Sequence, residues 1–143
     1  MSDQLYATFW VGPTYFGVDA TTIQEVLRNQ PLTRVLGSGP EVKGLLNLRG
    51  QVVVAIDLRE RLHIDARQED GEVLNVVAVT PHGPVSFLVD EIGDILNADT
   101  DDFEMPPETL GEPLRSLVTG VHKLDERLML VLDVTRAAEP AAA

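Results

Sequence analysis

"GLLNLRGQVVVAIDLRERL", residues Gly44 to Leu62, holds two apolar strands joined by a polar turn. Asn47 and Gly50 mark the turn, because both tolerate positive φ at little cost. Leu45, Leu46 and Leu48 lead into it, and Val52, Val53, Val54, Ala55 and Ile56 lead out. The bend itself holds Arg49. A solvated turn arginine accounts for such a residue taken alone, so a binding role needs support from the rest of the chain.

On either side the chain reads as short strands separated by Gly, Pro, Asn and Asp. "LYATFWV" and "TYFGVD" flank Gly12-Pro13, "VLNVVAV" and "VSFLVD" flank "TPHGP", and "RLMLVLDV" alternates Leu128, Leu130, Leu132 and Val134 with Met129, Val131 and Asp133. Regular short strands with turn chemistry between them predict a barrel or sandwich. Helices are minor. Ser38 with Glu41 has the capping-box spacing for a single turn, and "DLRERL" and "DVTRAA" each close a strand with a short helix. "TTIQEVL" and "DEIGDILN" fit a short helix or a strand, with Gly93 weakening the helix in the second. Residues 137–143 are expected to form a flexible tail.

The chain repeats itself. Residue n matches residue n + 76 without a gap from Gly44 to Leu58: Gly44 meets Gly120, Leu48 meets Leu124, Val52–Ile56 meets Leu128–Leu132, and Asp57 meets Asp133. Upstream, Phe16, Val18 and Asp19 align with Phe87, Val89 and Asp90. Closing up two residues then matches Ile23, Glu25 and Leu27 with Ile92, Asp94 and Leu96. One half-length unit occurs twice, which predicts a single domain, 1–143, of two β subdomains: 1–66 and 67–136, with terminal strands open to exchange. The turn chemistry is not repeated. Asn47-Leu48-Arg49-Gly50-Gln51 faces Lys123-Leu124-Asp125-Glu126-Arg127, as expected for a binding site carried by one copy of a shared scaffold.

Composition narrows the function. The 143 residues contain no cysteine, which removes disulfides, thiolate metal sites and cysteine nucleophiles. Residues 1–64 balance six acids with six bases, so the formal charge of −12 falls entirely on residues 65–143. Such a surface repels phosphate backbones and anionic lipid heads, so neither nucleic acid nor membrane insertion is expected. No signal peptide and no run of about 20 apolar residues is present, and a cytoplasmic protein is expected.

Catalytic and metal readings find little. His63, His82 and His122 are too scattered for metal-ligand spacing. "DTDDFE" (Asp99–Glu104) fails as a calcium loop, because Phe103, Glu104 and Leu110 stand where a ligand, a glycine and a glutamate are needed. There is no phosphate-binding glycine loop and no nucleophile elbow. Asp57 with Asp90 or Asp133 is the one carboxylate arrangement from which a small hydrolase could be built, and Asp57 and Asp133 also sit where helix N-caps are needed. No catalytic residue, metal or cofactor is expected.

"VKGLLNLRGQVVVAIDLRERL" closely resembles the signature of the CheW family of bacterial chemotaxis coupling proteins. The resemblance runs from "FWVGPTYFGVDATTIQEVL" through "SFLVDEIGDIL" to "VLDVTRA". Val54 stands where many members carry proline, which supplies the strand with a backbone donor. The resemblance implies a mainly β fold of two SH3-like five-stranded barrels sharing a hydrophobic core, with short helices. It implies a non-enzymatic adaptor, recruited to membrane-associated arrays, that couples chemoreceptor cytoplasmic tips to the regulatory domain of the histidine kinase CheA. Type IV pilus and gliding pathways use similar adaptors. Residue by residue, Asn47, Leu48, Arg49 and Gly50 match the coupling motif, and Ile23 and Glu25 match receptor-contact positions. An internal bond from Arg49 to Glu25 or to a strand carbonyl is the other role for that arginine, and it would also pre-orient the guanidinium.

Overall fold

The computed structural model describes residues 3–37, 39–64 and 72–139. The first hairpin pairs β1 (Asp3–Val11) with β2 (Thr14–Asp19), and a 3-10 turn leads into β3 (Ile23–Leu27). A second hairpin, β4 (Val42–Leu48) and β5 (Gln51–Asp57), ends in α1 (Leu58–Arg61). The second half begins with β6 (Leu74–Thr80) and β7 (Gly83–Val89), followed by the short β8 (Glu91–Ile92), β9 (Leu96–Asp99) and β10 (Phe103–Glu104). It closes with α2 (Leu114–Leu117), β11 (Val118–Lys123), β12 (Leu128–Leu132) and α3 (Val134–Ala138).

The fold is mainly β, in two sheets. One runs β3-β6-β7-β5-β4, and the other β10-β11-β12-β2-β1-β8 with β9 also on β1. Only the first has the expected five strands. The second has seven, because β8 and β9 together occupy the place of β3 and β10 adds an edge. Both stretches that fitted helix or strand are extended. Ile23–Leu27 gains a ladder on β6, and the second stretch breaks at Gly93 into β8 and β9.

A boundary near residue 66 does not describe the sheets. Each unit gives its first hairpin to one sheet and its remaining strands to the other. Ile23 pairs with Ala78 and Leu27 with Asn75; the counterparts, Ile92 with Phe9 and Leu96 with Tyr6, pair in the same register 69 residues away. The parallel contacts agree, with Val54 beside Val85 and Leu130 beside Phe16. The counterpart of Phe16 is therefore Val85, and the match to Phe87 was two residues out of register. Side chains alternate along a strand, so a slip of two keeps every residue on its face and leaves the apolar pattern unchanged.

This exchange explains the unbroken apolar run in β5. Val54 and Ile56 face the core between the sheets, with Phe9, Phe16, Val18, Val76, Phe87 and Leu132. Val53 and Ala55 face a second core within the five-stranded sheet, with Leu46, Leu48, Val77 and Leu88. A strand covered on both faces reads as continuous hydrophobic sequence. Tyr6, Tyr15, Met129 and Val131 form the corresponding interior of the other sheet.

The glycines at 44 and 120 mark the same device in both copies. Each sits at a register shift, and a Cβ there would meet the Thr33 carbonyl at 2.6 Å or the Phe103 ring at 2.1 Å. Asp57 and Asp133 cap the two equivalent helices, accepting from the Arg59 and Arg136 amides at 2.9 and 3.1 Å. Two residues of the expected tail are part of the fold instead: Ala137 and Ala138 belong to α3, and Ala137 is fully buried in the shared core. The residues after Glu139 and the capping serine, Ser38, lie outside the described residues; Glu41 sits in a turn closed by Val42 N–H to the Gly39 carbonyl at 3.1 Å.

Candidate protein-interaction site

The turn between β4 and β5 is a two-residue hairpin, with Leu48 opposite Gln51 and Arg49 and Gly50 at its tip. Both tip residues have positive φ, 52° and 86°. Such turns favour Asn-Gly or Gly-Gly, and a left-handed arginine costs on the order of 1 kcal/mol. Asn47 secures the bend, its Oδ1 accepting from the Gly50 amide at 2.8 Å. Leu48 is 8% exposed and packs within the five-stranded sheet, so its part in the motif is to fix the turn from below.

Arg49 does not wave free. Its Nη1 donates to Glu25 Oε1 at 3.3 Å and its Nη2 to Oε2, making a forked ion pair. The Glu25 side chain is 22% exposed and the Arg49 side chain 68%, so the carboxylate is half-sheltered while the guanidinium still faces water. The hydrogen bonds from Arg49 hold the Glu25 carboxyl below its ordinary value of 4.5, and the same bonds raise Arg49.

Glu25 lies opposite Val77 of the five-stranded sheet's interior, whereas the other face of β3 borders an apolar cleft of about 190 Å³ between the two sheets, lined by Ala7, Phe9, Ile23, Val26, Val76, Ile92 and Ile95 among others. Three of its walls reach water: Val26 is 45% exposed, Ile92 41% and Ile95 60%. The structure thus joins Glu25 to Arg49, places Asn47 and Gly50 in the same turn, and sets Ile23 apart from them in the cleft. Val26, Ile92 and Ile95 were not singled out from sequence. Their signal was aliphatic side chains on or beside short edge strands, outside the residues of the sheet cores.

In the other sheet the equivalent turn is spent internally. Arg127 lies over Trp10 and Tyr15, 5.2 and 5.3 Å from the ring centroids, and Lys123 pairs with Glu104 at 3.0 Å. Both hairpins nevertheless carry an exposed aliphatic at equivalent positions, Val52 at 64% and Leu128 at 50%.

The carboxylates suggested for a hydrolase have structural roles. Asp57 and Asp133 cap α1 and α3. Asp90 accepts from Arg59 at 2.6 Å, both side chains being mostly sheltered, and also from the Gly12 amide. These bonds tie α1 to the ends of β1 and β7 across the two sheets, which corrects that reading of the three aspartates. Among the described residues no helix is long and apolar enough to cross a membrane.

Comparison with known proteins agrees with this geometry. The chain is 26% identical over 133 residues to the chemotaxis protein CheW of Klebsiella aerogenes, covering 93% of this chain and 80% of that one. It is 27% identical over 125 residues to the chemotaxis protein CheW of Bacillus subtilis, covering 87% and 80%. The crystal structure of the scaffolding protein TtCheW from Thermoanaerobacter tengcongensis superposes with a TM-score of 0.88 at 20% identity, covering all of this chain and 92% of that one, a likeness of fold. The family model of the CheW-like domain matches residues 5–140, and the chain belongs to that family.

Proposed function

We propose that this chain is a non-enzymatic chemosensory adaptor that couples chemoreceptor cytoplasmic tips to the histidine kinase CheA at membrane-associated receptor arrays. The observation that carries the reading is one edge strand, β3, that holds Glu25 in an exposed ion pair with Arg49 and sets Ile23 and Val26 in an apolar cleft. The receptor tip, a helical hairpin, seats apolar side chains against Ile23, Val26, Ile92 and Ile95, and the guanidinium of Arg49 meets a carboxylate or a helix-end carbonyl on it. An ion pair beside an excluded apolar contact counts for more than one on an open surface. The turn is pinned by Asn47 and Gly50 and seated on Leu48, so the arginine is presented in one place. Val52 and Leu128, equivalent in the two sheets and both exposed, are apolar anchors suited to a kinase regulatory domain built from the same kind of β subdomains.

Co-sedimentation of the full chain with its cognate kinase and receptor fragment tests the reading. Ternary pelleting that Arg49→Ala or Ile23→Asp abolishes supports it. Pelleting unaffected by either change, or binding to neither partner, contradicts it.

A further inference from the structure

A second cavity, about 460 Å³ in volume, opens beside α3 at the seven-stranded sheet. Its size is that of a small-molecule site. Val79, Phe103 and Val131 give it apolar walls, and Asp19 and Asp133 stand among them with no lysine or arginine in the lining. The repeat shows what sets this corner apart. In the first unit Asp57 pairs with Leu88 at the ends of the parallel strands β5 and β7. The spacings that relate Val54 to Leu130 and Phe16 to Val85 relate Asp57 to Asp133 and Asp19 to Leu88. Two carboxylates therefore stand level at the ends of β12 and β2. The same spacing relates Arg59 to Thr135, which lines the cavity. Arg59 is sheltered, its side chain 16% exposed, and is an internal guanidinium for Asp90. Where the first unit has a leucine and an arginine, the second has an aspartate and a threonine, with less bulk and a charge lower by two. Arg136 Nε lies 3.7 Å from Asp133 Oδ2, but that side chain is 67% exposed and outside the lining. Asp19 Oδ1 accepts from the Thr21 amide and hydroxyl at 2.9 and 2.7 Å, and among the described residues no ion pair engages Asp19.

We infer that this cavity binds an alkylguanidinium, with its charge at Asp19 and Asp133 and its apolar stem along Val79 and Phe103. A guanidinium presents a planar fork of donors that fits carboxylates, and its weak hydration suits a half-sheltered corner. Two carboxylates fall short of a metal site, and among the described residues no group of three acids or histidines could hold a metal ion. The inference does not rest on the docking reading, since this cavity and the apolar cleft share no residue. A free small molecule and an arginine side chain of a protein partner carry the same chemistry, and experiment separates them.

The test is an amide-correlation NMR titration of the full chain with butylguanidinium and, in parallel, with butylurea, its uncharged counterpart. Saturable shifts at Asp19, Thr22, Thr119 and Thr135 are expected with butylguanidinium. Binding is expected to weaken by about fivefold or more with butylurea, and equally in the Asp19→Asn/Asp133→Asn double variant. Asparagine keeps the α3 cap and the acceptor used by Thr21, and each variant's own spectrum checks its fold. Thr135→Arg installs the first unit's cation and is expected to abolish the shifts. No saturation, butylurea binding as well as butylguanidinium, or an unweakened double variant overturns the inference. Once butylguanidinium binding is established, loss of receptor- or kinase-fragment binding in Thr135→Arg assigns the guanidinium to an arginine of that partner. Fragment binding retained in that variant assigns it to a free small molecule.

Discussion

Arg49 and Glu25 tie together the two edges of one sheet: Glu25 lies on β3, Arg49 on the turn leaving β4, and β3 and β4 are the outermost strands of the order β3-β6-β7-β5-β4. Thr33 closes the same seam further along, exchanging two 2.8 Å backbone hydrogen bonds with Leu45. The arginine is therefore both a clasp and a presented charge, and its two roles are separable by experiment.

The fold does not depend on Arg49. Arg49→Asn places a residue at φ 52° that tolerates the left-handed region, and the lost ion pair is largely solvent-facing. The melting temperature is expected to stay within a few degrees of the parent or to rise. A melt lowered by more than about 2 kcal/mol of stability makes Arg49 a structural residue first.

The clasp is visible in acid. Because Arg49 lowers the Glu25 carboxyl in the folded protein, the pair's stabilisation is complete above 4.5 and is lost as pH falls from there through the folded value. A side-chain carboxyl titration by NMR is expected to place Glu25 below 4.5 and to return it towards 4.5 in Arg49→Ala. An unmoved midpoint in that variant would mean the pair does not form in solution.

A second pH effect comes from His122, which is 1% exposed, with its Nε2 3.1 Å from the Tyr6 hydroxyl and its ring against Tyr6 and Phe103. Burial lowers its protonation below 6.5, opposed by the charges of Asp99 and Asp102. The unfolded chain therefore binds the extra proton first, and stability falls as pH drops below 6.5 towards the folded value. Denaturant melts from pH 8 to 5 are expected to show this slope in the parent and to lose most of it in His122→Phe. An equal slope in both assigns it elsewhere.

The shared core makes the two sheets one cooperative unit. Phe87 is 1% exposed and packs with residues of both sheets, so Phe87→Ala is expected to cost about 3–5 kcal/mol and lower a single thermal transition. For the same reason the fragments 1–66 and 67–143 are each expected to remain unfolded alone, since β1 and β2 need β12 and β5 needs β7. Two separate transitions in the parent, or a folded half, would contradict the exchange.

Much of this was legible in sequence, for particular reasons. The repeat from Gly44 to Leu58 onto Gly120 to Val134 survives as paired hairpins with the same register shift and the same aspartate caps. Asn47 and Gly50 announced the turn, and Glu25 was one of two internal partners weighed for Arg49, the other being a strand carbonyl. The strand exchange was harder to read, because a two-residue slip leaves an alternating pattern intact and put Phe16 against Phe87. Residues 100–117 have no strong periodicity, so β10 was not read, although Glu104 pairs with Val121 as Thr33 pairs with Leu45 in the first unit. The cleft was invisible because nothing in the sequence separates Ile92 and Ile95, which the fold leaves 41% and 60% exposed, from buried isoleucines.

The central claim is that Arg49 works outward as well as inward. Its most direct test is receptor-stimulated autophosphorylation of the cognate kinase, reconstituted with receptor and either the parent chain or Arg49→Ala, with both proteins shown to be folded. The account predicts that stimulation collapses with Arg49→Ala, by about tenfold or more, while the melting temperature holds. Stimulation equal to the parent's would reduce Arg49 to the clasp of a sheet.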